Sequence, residues 1–173
     1  MQKNQENEKL LNMVYAGLFA AMTALLTATL HIPVGNGYIH CGDAVIYLAA
    51  AVLPMPYAVG ASAVGGMTAD LLSGYPMYAL PTFIIKGMLA LTFSLIGGKR
   101  PVDGRRIAAL LLCCVITVVG YWITAVIHYG GWTAQLIGTA PGNLVQGIGS
   151  GIIYAVSASA LERVRNRRPH LLF

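Results

Sequence analysis

Three ionisable residues stand where an apolar chain has least use for them. Asp43, Asp70 and Lys86 lie in or beside apolar runs, away from every basic cluster of the sequence. An ionised side chain in hydrocarbon costs at least about 2.5–3.5 kcal/mol, so each needs a partner, a water-accessible hollow or a function. Lys86 falls about halfway along the apolar run 78–96, and Tyr78, Thr82 and Lys86 recur at i, i+4 and i+8. On a helix these three share one face that climbs from the end towards the middle, as the wall of a pocket would. Two plainer readings stand beside it. Lys86 pairs with Asp70 and merely fixes helix packing, and Asp43 caps the helix that it opens, favoured there by the dipole. Asp70 is read as counter-ion to Lys86, to a ligand, or to neither.

Polar and aromatic groups gather near these charges. Tyr38 and His40 precede Asp43, Tyr75 and Tyr78 flank Pro76, His128, Tyr129 and Trp132 follow one apolar run, and Asn143 and Gln146 open the next, one helical turn apart. Interfacial belts account for many tyrosines and tryptophans near membrane surfaces, but not for the amides, histidines and charges beside them. A concave site with aromatic walls and a few polar anchors suits a small, flat, polar heterocycle. The candidate substrate-binding set is His40, Asp43, Asp70, Tyr75, Tyr78, Lys86, His128, Trp132, Asn143 and Gln146. An enzyme would need a nucleophile with its base or a metal cluster, and no spacing such as HExxH occurs. Cys41, Cys113 and Cys114 form no CxxC, so no metal site, disulfide framework or cofactor is expected. A purely structural membrane subunit would have no reason to keep Lys86 in mid-bilayer.

The elements that must position these residues follow from composition. The 173 residues are 57% apolar and only 10% charged, with a mean hydropathy of +0.68, which is the signature of a chain embedded in lipid. The net charge of +5 does not imply nucleic acid, because the basic residues sit at the ends of apolar runs rather than in a patch. Apolar runs at 10–30, 44–53, 57–72, 78–96, 107–128 and 142–161 give an all-α polytopic membrane domain over 10–163, six spans in one bundle. The run 44–53 is short for a crossing, and 130–141 reads as a Gly-rich loop. The first run is long and lacks an Ala-x-Ala site, so it is counted as a span rather than a cleaved leader.

Lys3, Lys9, Lys99, Arg100, Arg105, Arg106, Arg163, Arg165, Arg167 and Arg168 then all fall on one side, while 31–43, 73–77 and 129–141 hold no lysine or arginine. By the positive-inside rule both termini, the polar segment 1–9 and the basic tail 164–173, are cytoplasmic. In the first span Ala16, Ala20, Ala24 and Ala28 repeat every fourth residue, a smooth strip on which another helix can lie. Ala61, Gly65 and Ala69 form a comparable strip, so at least one of the two is expected to pack internally.

The chain resembles the substrate-binding S components of energy-coupling factor (ECF) vitamin transporters over nearly its whole length. The most specific stretches are Tyr38-Ile39-His40-Cys41-Gly42-Asp43-Ala44-Val45-Ile46, Ala69-Asp70-Leu71-Leu72-Ser73-Gly74-Tyr75 and Ile84-Ile85-Lys86-Gly87, similar to the riboflavin-type or hydroxymethylpyrimidine-type subgroup. The resemblance implies capture of a vitamin or precursor from outside and a toppling of the subunit in the membrane. It implies as partners a transmembrane coupling subunit, docked through Ala16, Ala20 and Ala24, and two ATPase subunits, in line with the lack of a Walker loop in this sequence. Ligand contacts are implied from the loops after the first, third and fifth spans and from the last three helices. The stretch 35–42 is expected to fold in as a lid. A B6-type pyridine or a thiamine-related pyrimidine is favoured, since the mixed signs of Asp43, Asp70 and Lys86 suit a neutral or zwitterionic ligand; riboflavin, pantothenate and a deazapurine precursor stay open.

Overall fold

The computed structural model describes residues 2–34, 37–98 and 102–167, with side chains over 5–33, 40–98 and 102–163. Lys99, Arg100 and Arg168 lie outside the described residues, as does Gly35 of the expected lid. The side chains of Lys3, Tyr38, Ile39, Arg165 and Arg167 lie outside them too.

Among the described residues six helices follow one another: α1 (Gln2–Thr29), α2 (Gly42–Val52), α3 (Met55–Leu72), α4 (Pro76–Ile96), α5 (Gly104–Tyr129) and α6 (Trp132–Arg167). Four of them, α1, α4, α5 and α6, are long and apolar enough to cross a membrane. Helix α2 has 11 residues, about 16 Å at 1.5 Å per residue, and cannot reach across a 30 Å hydrocarbon layer. Leu53 and Pro54 break it. Pro56 does not prevent α3 from starting at Met55, because an early proline lacks only an N–H that has no intrahelical partner there.

The bundle is all-α as expected, and at the end that carries the α1–α2, α3–α4 and α5–α6 connections a short hairpin joins it: β1 (His31–Val34) and β2 (Gly37–His40) pair antiparallel with His31 opposite His40. One expectation is corrected there: the stretch 130–141 is not a loop, for α6 begins at Trp132 and continues past Pro141. Proline removes one backbone donor and crowds the preceding turn. Two side chains beside it bond back into the helix, Thr139 Oγ1 donating to Gln135 O at 2.8 Å and Asn143 Nδ2 to Thr139 O at 3.0 Å.

Small residues let the helices approach closely. A Cβ on Gly65 of α3 would stand 2.7 Å from Ala20 O and 3.1 Å from Ala20 Cα of α1, so the strip containing Ala20 lies against the strip containing Gly65. Ala24 is buried on that seam, and Ala16 packs partly against the core. Ala24, expected on the docking strip, thus has its surface covered by the bundle. Below the hairpin end, α2 is enclosed by α4 and α6, where Tyr47, Phe93 and Tyr154 meet with ring centroids 5.0–6.2 Å apart. At the other end Asp103 caps α5 by accepting from Arg106 N at 2.8 Å.

Candidate functional site

A hollow of about 670 Å³, its open mouth included, enters the bundle at the hairpin end. Its wall takes residues from α1 (Thr27), β2 (His40), α3 (Gly66, Asp70), α4 (Tyr78, Thr82, Lys86), α5 (Tyr121) and α6 (Gly138, Thr139, Gly142, Asn143, Gln146), with Tyr75 at the α3–α4 turn. The shared face of Tyr78, Thr82 and Lys86 is one side of it. Lys86 can lie there because Gly66 is opposite: a Cβ on Gly66 would stand 2.7 Å from Lys86 Cγ and 3.0 Å from Thr82 Cγ2. Asp70 and Tyr75 are fixed together by the end of α3. Gly74 has φ 82°, which a residue with a side chain rarely adopts, and the turn it makes lets Tyr75 N–H donate to Asp70 O at 2.9 Å.

The floor is a connected polar cluster. Lys86 Nζ donates to Asp43 Oδ1 at 2.6 Å, and both side chains are buried to 1% exposure or less. Gln146 Nε2 donates to Asp43 Oδ2 at 2.8 Å, and His40 N–H donates to Gln146 Oε1 at 3.3 Å. Gly42 N–H donates to His40 Nδ1 at 3.0 Å, with Thr27 Oγ1 3.3 Å from the same nitrogen. An Nδ1 that accepts leaves the ring proton on Nε2. Burial and then the Lys86 charge push the imidazole pKa down to about 3, so His40 is neutral. The cluster joins α1, β2, α2, α4 and α6, and a charge pair in low dielectric is tolerable only with its remaining lone pairs satisfied in this way.

This arrangement corrects the ion pair and the cap. Lys86 binds Asp43, not Asp70, and Asp43, in the first turn of α2, turns its carboxylate to Lys86 and Gln146; Cys41 holds the N-cap position without a side-chain bond. Of the ten expected residues, His40, Asp70, Tyr75, Tyr78, Lys86, Asn143 and Gln146 come together on the wall and Asp43 lies under the floor. His128 forms a second layer, stacked on Tyr78 at 5.6 Å and 9°. Trp132 is not brought in: it is 64% exposed and packs edge-on against Trp122 at 5.5 Å, while its carbonyl accepts from Trp122 Nε1 at 3.0 Å.

Sequence reasoning missed Tyr121, whose hydroxyl lies 3.1 Å from Thr82 Oγ1 and whose ring centroid is 5.2 Å from Lys86 Nζ. The signal available was its spacing of seven from His128, which places both on one side of α5. Thr27, Gly66 and Thr139 gave no signal, being small residues common in any membrane helix.

Apolar helices of membrane-crossing length around an open, polar-floored hollow define a membrane protein that binds a small molecule. A model of the family described as ECF-type riboflavin transporter, S component, matches residues 7–163, and the chain belongs to that family. It is accordingly a multi-pass membrane protein and the substrate-binding subunit of a vitamin transporter rather than an enzyme, of a kind that works with transmembrane and ATPase modules. A solved structure, the S component of a bacterial ECF transporter, shares the fold with a TM-score of 0.72 at 20% identity, over 91% of this chain and 97% of that one. A protein of Pyrococcus woesei, described as an uncharacterized protein in the gap 3' region, is 32% identical over 139 residues, 80% of this chain and 86% of its own length.

Proposed function

We propose that the hollow captures a water-soluble vitamin or vitamin precursor from outside the cell for ATP-driven uptake. The observation that carries this reading is the convergence of Asp70, Tyr78, Lys86, Asn143 and Gln146 from three helices on one hollow open at the hairpin end. The aromatic wall of Tyr75, Tyr78 and Tyr121 offers faces to a flat ring, and the amides of Asn143 and Gln146 offer edges to its polar atoms. A B6-type pyridine or thiamine-related pyrimidine fits the mixed charge of the floor, and the riboflavin of the family's description brings the isoalloxazine ring into the same class. In this reading the six helices of the membrane domain, residues 10–163, run alternately inwards and outwards, with α2 covering only part of the bilayer thickness inside the bundle. Residues 1–9 and 164–173, with their basic side chains, lie in the cytoplasm, and the hairpin end faces outwards.

Assembly with the coupling subunit runs along the open side of α1. Ala16 and Ala20 are half-buried there and border Gly17 and Ala21, which are exposed. Purification in detergent followed by mass spectrometry of the extracted small molecules tests the capture reading. A heterocyclic vitamin or precursor at near-equimolar amount is expected. Protein that retains no such compound, and that binds none on addition, would refute it.

A further inference from the structure

One carboxamide joins parts of the hollow that lie far apart in the chain. Gln146 stands on α6 and is 4% exposed. Its Nε2 donates to Asp43 Oδ2 at 2.8 Å, and its Oε1 accepts from His40 N–H at 3.3 Å. The Asp43 carboxylate only accepts and the His40 amide only donates, which fixes the orientation of the side chain. His40 is the last residue of β2, and its ring takes the N–H of Gly42 at the start of α2. The strand is therefore held at the residue where it meets both α2 and α6, and it packs on α6. Thr139, Gly142 and Asn143, which precede Gln146 on that helix, line the hollow with it. A carboxamide carries a donor and an acceptor at two corners of one planar group. A carboxylic acid that keeps its proton does so too, whereas a carboxylate or a thioether does not.

We infer that Gln146 is the positioning residue of the hollow: it holds the hairpin strand β2 against α6, and through that hold it sets how long a ligand stays. This rests on the reading of the hollow as the vitamin site and adds to it the residue that governs release. His40 is buried and belongs to the wall. Without the Gln146 oxygen its N–H loses an acceptor, and a buried amide left unpaired favours movement of the strand towards water. When β2 leaves α6 the wall loses one side and the mouth widens. A bound molecule escapes through that opening, while entry does not require a closed wall, so the effect falls on dissociation.

The test compares the full natural chain in detergent at pH 5 with Gln146→Met and Gln146→Glu. Methionine keeps the length and loses both bonds. Glutamic acid, buried and facing the Asp43 carboxylate, keeps its proton at that pH; its O–H can donate to Asp43 and its carbonyl can accept from His40 N–H. Without ligand, amide hydrogen exchange of β2, relative to that of α4 around the buried Leu89, is expected to rise about tenfold in Gln146→Met. In Gln146→Glu it should stay near the natural value. Riboflavin, thiamine and pyridoxine serve as binding probes. Each one that the natural chain binds should dissociate about tenfold faster from Gln146→Met, with association changed by less than about threefold, and Gln146→Glu should restore the slow release. A merely structural role would lower the folded fraction and leave both rate constants unmoved. Natural exchange of β2 in Gln146→Met, or failure of Gln146→Glu to restore it, overturns the inference. Faster release with β2 exchange unchanged would make Gln146 a direct ligand contact alone, which also overturns the inference and leaves vitamin capture standing. If none of the three probes binds, the capture reading falls and the role in release with it.

Discussion

Lys86 and Asp43 are 43 residues apart in the chain and 2.6 Å apart in the fold, and neither is exposed by more than 1%. The pair locks α4 to the start of α2 beneath the hollow, and Gln146 holds the other carboxylate oxygen from α6 at 2.8 Å. Helix α2 is too short to cross the bilayer, so this cluster does for its position what length does for its neighbours.

Removing one member of such a pair strands the other. Lys86→Met alone is expected to lower unfolding stability by about 3–5 kcal/mol, because Asp43 stays buried without its cation. Asp43→Asn is expected to be similarly harmful, since Lys86 is then unpaired. The double variant Lys86→Met with Asp43→Asn should lose at least about 1 kcal/mol less than the sum, as the amide oxygen introduced at position 43 can still accept from Gln146. Denaturation in detergent measures this, and strict additivity would contradict the pairing.

Gly66 makes room for the lysine stem. Gly66→Ala places a methyl 2.7 Å from Lys86 Cγ and is expected to destabilise by about 1–3 kcal/mol through overpacking, with ligand affinity falling as Lys86 shifts. Gly60→Ala, on the exposed side of the same helix with no atom within 4 Å of the new methyl, should be harmless. Equal behaviour of the two in a thermal melt and a binding titration would refute the close approach.

The helices, their basic ends and the row Tyr78, Thr82 and Lys86 were legible in the sequence because each rests on local period or on charge position. Asp43 as the partner of Lys86 was not, since nothing local distinguishes a carboxylate in the first turn of a helix that caps it from one that reaches another helix. The helical course of 132–141 was hidden for a related reason. Glycines and Pro141 are loop signals on their own, and the side-chain bonds that Thr139 and Asn143 make back into the helix appear only once the turn is formed. That Trp132 stands off the wall was not legible, because an aromatic at a membrane surface serves a belt as readily as a pocket.

Position along α1 separates packing from docking. Ala20→Trp collides with α3 at Gly65 and should lower the melting temperature by several degrees, about 1–3 kcal/mol of overpacking. Gly17→Trp meets open space and should leave the melting temperature and ligand retention unchanged while blocking co-purification with the coupling subunit. Normal assembly of Gly17→Trp would place the docking surface elsewhere.

His40 supplies a pH dependence of known sign. Its imidazole titrates near 6.5 when unfolded and is pushed down to about 3 in the fold, so between those values the unfolded chain binds the extra proton. Stability is therefore lost as pH falls from about 6.5 towards 3. In His40→Asn the amide oxygen can still accept from Gly42 N–H but does not titrate. The drop in melting temperature between pH 7.5 and pH 4.5 should be smaller in this variant than in the natural chain, and an equal drop would show that His40 is not the group responsible.

The most direct test is an experimental structure of the protein purified with its ligand. The account predicts a flat ring within the hollow, against Tyr78 or Tyr121, with polar atoms reaching Asn143 or Asp70 and the Lys86–Asp43 pair intact below. A ligand bound elsewhere on the protein, with this hollow closed or filled only by side chains, would contradict it.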